Sequence, residues 1–191
     1  MERKQVHLDG KQIRVLAHPL RARLLARLRL DGPATATRLA EALGTNTGAT
    51  SYHLRRLADV GLVEEDEDAG RGRERWWRSA HDMSSWRRDE FADDPDALAA
   101  SDWLDSNALR MFVDRVEMWR QTRSQESPEW QSAAGFSDHF LTLDSVQLTA
   151  LTVEVDELIE RYRAHSEAHP QPDARQVILF TYGVPRVDDP S

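Results

Sequence analysis

Cysteine is absent from the 191 residues, which excludes a disulfide framework, a thiolate metal site and a thiol nucleophile. Long apolar runs are also missing, and no stretch nears the roughly 20 residues that a membrane-spanning helix needs. Met1 to His7 lack the apolar core of a secretory signal. A cytoplasmic location without a membrane partner is therefore expected. Lysine is scarce: of 25 Lys and Arg, only Lys4 and Lys11 are lysines, a bias that suggests genome base composition more than mechanism. Three catalytic signatures are lacking as well, namely Gly-x-Ser-x-Gly, a phosphate-cradling glycine-rich loop and His-Glu-x-x-His. Gly70-Arg71-Gly72 reads as a turn, not a nucleotide loop. The expectation is a non-enzyme without cofactor or metal.

With 40% hydrophobic and 30% charged residues, the chain has the composition of a soluble globular protein. Its length suits one sizeable domain, or a small domain plus an extension. The net charge of −8 is unevenly spread. Residues 1–80 hold 15 Lys/Arg against 11 Asp/Glu, a balance of +4, and residues 81–191 hold 10 against 22, a balance of −12. A basic front joined to an acidic back fits a polyanion-binding module attached to a half with another task.

Taken in order, Ile13, Leu16 and Ala17 suggest a short helix ended by His18-Pro19. Proline suits the first position of the next helix, where its missing N–H has no intrahelical partner. Leu20, Leu24, Leu25 and Leu28 give that helix an apolar stripe, and Asp31-Gly32-Pro33 stops it. Thr35 can cap a third helix, Ala36 to Leu43, with Gly44 as its C-terminal glycine. Three residues later Asn46 is a good N-cap for a fourth helix, 47–60. Two short helices on so tight a turn form a helix-turn-helix.

In the fourth helix Thr50, Leu54, Leu57 and Gly61 share one stripe facing a core. Gly61 also supplies the positive φ that ends the helix. Gly48, Ser51, Tyr52, Arg55 and Arg56 lie on the other side, with no carboxylate before Asp59. A small, polar, cationic outer face is what enters a DNA major groove. Ser51, Tyr52 and Arg55 are expected to reach base edges, and Thr47 and Arg56 to hold phosphates. His53 flanks the apolar stripe and reads as a packing or phosphate-contacting residue.

Leu62 to Glu65 reads as a strand, Asp66 to Gly72 as a turn, and Arg73 to Arg78 as the returning strand. With a period of two, Trp76 and Trp77 point to opposite faces, so one can close the core. This hairpin is a wing, and Arg71, Arg73 and Arg75 share a parity that suits a phosphate backbone or a minor groove.

The run Leu16 to Arg21, the stretch Ser51 to Leu57, and Gly61-Leu62-Val63 before an Arg-rich hairpin resemble the ArsR-like winged helix-turn-helix transcriptional regulators. The resemblance covers about residues 10–80. It implies a homodimeric repressor or activator with paired recognition helices in successive major grooves of double-stranded DNA. The cysteine-containing metal-sensing motif of the arsenic and cadmium sensors is absent, so their thiolate chemistry cannot operate here. Gly48 and Thr50 stand where the family often has a polar residue and valine, so base preference does not transfer.

Arg87 through Asp94 is polar and reads as a connector. Asp94-Pro95 starts a helix that nothing breaks before about Arg123. That length exceeds a typical globular helix, so it is expected to pack on a partner chain. Ser127-Pro128 begins a short helical turn carrying Trp130, and Gly135 to Leu143 could hold a strand. Asp144 to about His165 is a further helix, with Leu148, Leu151, Val155, Leu158, Ile159 and Tyr162 on one face. Gln176 to Tyr182 is the most strand-like segment of the chain and needs a pairing edge. His165 and His169 have metal-ligand spacing but read as solvated helix-end residues. The aromatics of 103–140 are dimer core or the lining of a pocket for a small-molecule effector.

The fold class expected is mainly α with a small β component. A winged helix-turn-helix domain over 1–80 and a connector over 81–94 precede a helical dimerisation and effector domain over 95–191 that has a short C-terminal strand. The function expected is sequence-specific DNA binding as a homodimeric transcriptional regulator, a repressor first, reading a palindromic operator. The alternative is a winged-helix module that binds protein or RNA without reading duplex sequence.

Overall fold

Each of the first four helices begins at a residue whose side chain accepts a backbone N–H, which satisfies a donor that the helix start leaves orphaned. The structure is a computed structural model and describes residues 4–67 and 74–187. Helix α1, Gly10–Leu16, starts at Asp9, with Gln12 completing a capping box. Helix α2, Pro19–Leu30, starts at His18 and has proline at its first position. Helix α3, Ala36–Leu43, is capped by Thr35, and helix α4, Thr47–Ala58, by Asn46.

Five short strands complete this part. Strand β2, Ala34–Thr35, pairs antiparallel with β4, Trp76–Ser79, which pairs antiparallel with β3, Val63–Glu65. Strand β1, Gln5–His7, runs parallel to β5, Met83–Ser85, with Gln5 opposite Met83. The core draws on every helix so far: Ile13, Leu16, Leu24, Leu28, Leu39, Leu54 and Leu57 are buried, and Trp77 of β4 is 3% exposed against them. Fully burying a leucine is worth about 1.5–3 kcal/mol, so this cluster dominates the stability of the fold. As the period of two requires, Trp76 points the other way, under the Arg38 guanidinium at 4.8 Å.

Packing continues past residue 80, where the sequence placed a boundary. Residues 81–94 carry β5 and a 3-10 turn, Arg88–Phe91, and Phe91 is buried in the same core. Helix α5, Pro95–Thr122, adds Ala97, Ala100, Ser101 and Leu104. Small side chains let its first turns approach closely. Arg14 pairs with Asp94, and His7 Nε2 lies 2.5 Å from Glu90. One compact unit thus runs over Met1–Arg115.

A second unit covers Val116–Ser191. It holds a 3-10 turn at Arg123–Gln125, helix α6, Pro128–Ala133, capped by Ser127, and helix α7, Ser145–Ala168, whose start at Asp144 is a capping box. Arg175 makes a two-pronged ion pair with Glu126, at 2.7 and 3.1 Å, and lies over Trp130. Among the described residues after Leu104, none is buried. The two strands expected here are not formed: residues 135–143 and 176–182 join no ladder. Phe136 and Phe140 are 90% and 93% exposed. A strand exists only beside another strand, and these segments do not pair with one another.

Candidate nucleic-acid interface

The turn between α3 and α4 is set by three local features. Gly44 takes φ 64°, a left-handed conformation that closes α3. The Thr45 N–H donates to the Ala40 carbonyl at 2.9 Å. The Asn46 side chain then accepts from the Ala49 N–H at 2.8 Å, so α4 leaves the turn at a fixed angle. Thr50, Leu54 and Leu57 are its buried stripe. Gly61, at φ 72°, turns the chain into β3, and the Leu62 N–H bonds back to the Leu57 carbonyl at 3.0 Å.

The opposite side of α4 is open. Thr47, Gly48, Tyr52, Arg55 and Arg56 are exposed, Tyr52 at 54%, and Ser51 is half-buried. The Arg55 Nε donates to the Ser51 carbonyl at 3.1 Å, which lays the guanidinium along its own helix. Arg56 lies 3.6 Å from Asp59, and Arg75 pairs with Glu65 across the wing at 3.2 Å. Exposed pairs of this kind are worth about 0–1 kcal/mol, so a phosphate can take either cation.

Thr47, Ser51 and Arg55 meet the wing residue Arg75 in an open cleft of about 360 Å³, also lined by Thr35, Ala36, Thr37, Glu74 and Trp77. The pairing of β2 with β4 builds this cleft. Thr35 lies opposite Trp76 in the sheet while capping α3, which ties the wing to the helix-turn-helix. Gly48, Tyr52 and Arg56 lie outside the cleft. His53 is on the other flank of α4, half-buried, with its ring 4.5 Å from that of His18. Arg71 and Arg73 fall outside the described residues.

Three contributors escaped the sequence reading. Thr37 at the start of α3 and Glu74 on the wing line the cleft, and Arg38 stacks on Trp76. Thr37 alone had a local signal, since it follows a cap and sits where helix N–H groups point outward. In the second unit the His165 and His169 rings stack at 4.6 Å, and His169 Nδ1 lies 3.1 Å from the His165 carbonyl oxygen. No third metal-ligating side chain joins them among the described residues. No described helix is long and apolar enough to cross a membrane.

Residues 16–66 match the model of a helix-turn-helix domain family. The chain is similar to the homodimeric winged helix-turn-helix DNA-binding domain of a possible ArsR-family transcriptional regulator from Mycobacterium bovis. Identity is 23%, over 55% of this chain and 76% of that one, with a TM-score of 0.34. It is also similar to a possible transcriptional regulator for arsenical resistance, at 28% identity over 61% and 97% of the two chains, TM-score 0.32. A third similar structure is ZitR of Lactococcus lactis in complex with DNA, at 18% identity over 78% and 77%, TM-score 0.27. Comparison with curated proteins found no match. By the match over residues 16–66 and by its own helices and wing, the N-terminal part of the chain is a winged helix-turn-helix domain, the fold of DNA-binding transcriptional regulators.

Proposed function

We propose that the protein is a homodimeric transcriptional repressor that reads a palindromic operator with α4 and the wing. The observation that carries this reading is the outer face of α4. Hydroxyls and cations stand there in the open, and one flank continues through the cleft to Arg75. Ser51, Tyr52 and Arg55 are assigned to base edges, and Gly48 permits close approach to the groove floor. Thr47, Arg56 and the wing arginines Arg71, Arg73 and Arg75 are assigned to phosphates.

Dimerisation is inferred from what the chain leaves uncovered. Leu109, Val113, Val116 and Met118 are exposed along α5, and Leu151, Leu158 and Tyr162 along α7. A second copy related by a two-fold axis would cover such surface and set two α4 helices about 34 Å apart. In this reading residues 1–80 contact DNA, 81–94 join them to α5, and 95–191 serve self-association, with the first turns of α5 also packed in the N-terminal core.

Arg55→Ala and Arg75→Ala, titrated on selected and random duplexes at several salt concentrations, test the assignment. Loss of the base contact at Arg55 should cost about 1–3 kcal/mol and relax specificity at one position. Loss of the phosphate contact at Arg75 should weaken all duplexes alike and lower the salt slope by about one per protomer, about two for the dimer. Equal effects of the two variants on both duplexes would reject the roles. Binding indifferent to duplex sequence, together with a stable protein or RNA complex, would reject the operator reading.

A further inference from the structure

Around α4 each residue advances by about 100°, so Ser51 in the wing cleft and His53 stand about 160° apart. On that far flank three basic side chains gather. His18 opens α2, where its Nδ1 accepts the Leu20 N–H at 3.1 Å. Its ring lies 4.5 Å from His53, and Tyr52 stands edge-on to His53 at 5.1 Å. Arg21, one turn into α2, brings Nη1 to 3.5 Å from His53 Nδ1 while its Nε donates to the Val15 carbonyl. All three side chains are half-buried.

Among the described residues no acid compensates this charge. From α2 and α4 the charged and titratable groups acting on the trio are one another, Arg56 and Tyr52, and α1 contributes the Val15 carbonyl. Asp59 is 3.6 Å from Arg56 and pairs with it. Among the described residues no carboxylate pairs with Arg21 or acts on either histidine. Burial, and then the neighbouring cations, push both histidines and Arg21 below their ordinary values. With both Nδ1 atoms engaged as acceptors, each neutral ring keeps its Nε2–H as a donor. A guanidinium beside two imidazole donors, held without an acid, is the chemistry of an oxyanion site.

We propose that His18, Arg21 and His53 bind one DNA backbone phosphate. This phosphate lies on the wall of the major groove opposite the one met by the wing cleft. The proposal rests on α4 entering that groove, which is about 12 Å wide and walled by a phosphate chain on either side. The start of α2 then joins the DNA footprint and fixes how α4 is rolled in the groove.

The test uses the full-length protein and a fluorescein-labelled random-sequence duplex of roughly 30 base pairs, long enough for two half-sites. Affinity is measured over a salt series for wild type, Arg21→Gln, Arg21→Lys and the double variant His18→Asn with His53→Gln, in which asparagine keeps the capping acceptor. Arg21→Gln removes one cation from each protomer, so for the dimer it should lower the slope of log affinity against log salt by about 1.8 and weaken binding about thirtyfold at ~0.15 M salt. Arg21→Lys should retain the wild-type slope. The double variant should bind roughly tenfold to a hundredfold more weakly with the slope kept, because both protomers lose neutral donors only. If Arg21→Gln fails to fold by circular dichroism, the lysine and double variants decide. Wild-type affinity and slope in Arg21→Gln, a lowered slope in Arg21→Lys, or an unweakened double variant overturns the phosphate site while leaving the DNA-binding reading intact. A wild type that binds no duplex overturns both.

Discussion

Thr50 sits on the buried stripe of α4 with Leu54 and Leu57, fully shielded from solvent, and among the described residues its Oγ1 has no hydrogen-bond partner. The other two buried hydroxyls are satisfied: the Thr35 oxygen accepts from the Arg38 N–H, and the Ser101 hydroxyl donates to the Leu98 carbonyl. Leaving a buried hydroxyl unpaired costs about 1–3 kcal/mol. Thr50→Val replaces that oxygen with a methyl of nearly the same size and branching, so no cavity opens and helix propensity barely changes. The variant should therefore gain about 1–2 kcal/mol. Urea unfolding should show a higher midpoint at unchanged m-value, with a melting temperature raised by ~2–4 °C per kcal/mol for a chain of this size. Thr50→Ser keeps the orphan oxygen and deletes the methyl, and should lose about 1 kcal/mol. If valine is neutral or destabilising while serine is tolerated, the oxygen is not a liability and the reasoning fails.

Two more outcomes follow from the same physics. A Cβ at Gly61 meets nothing within 4 Å, but the residue sits at φ 72°, so Gly61→Ala should cost about 1–2 kcal/mol through backbone strain alone; an unchanged midpoint in urea would refute it. His18, His53 and His81 have folded-state values below the ordinary 6.5, each chiefly through burial. The unfolded chain then binds protons first as pH falls, so stability should be full above neutrality and decline as pH drops through about 6.5. A flat or rising unfolding midpoint from pH 7.5 to about 5.5 would contradict that sign.

The helix-turn-helix was legible because its determinants are local. Thr35, Gly44, Asn46 and Gly61 each act within a few residues of themselves, and all four do in the structure what their chemistry dictates. The small strands were not legible. Residues 34–35 and 5–7 are too short for any period, and each exists only because a distant segment, 76–77 or 83–85, lies alongside. The extent of the first unit was hidden for another reason. Ala97, Ala100 and Ser101 are buried without being strongly apolar, so the acidity of the surrounding helix masks its contact face.

The candidate site divides along the same line. Which side chains α4 turns outward follows from 3.6 residues per turn, and Thr47, Ser51, Tyr52, Arg55 and Arg56 could be named from spacing. That His53 meets His18 and Arg21 depends on how α2 crosses α4, and no spacing within either helix encodes it. The second unit carries the contrast furthest. A helix closes its own backbone hydrogen bonds, so α7 forms although Val146, Leu151, Val153, Leu158 and Tyr162 stay exposed. A strand closes none by itself. Residues 176–182 therefore join no ladder despite their strand-like sequence, because apolar alternation expresses a demand for an edge and cannot provide one.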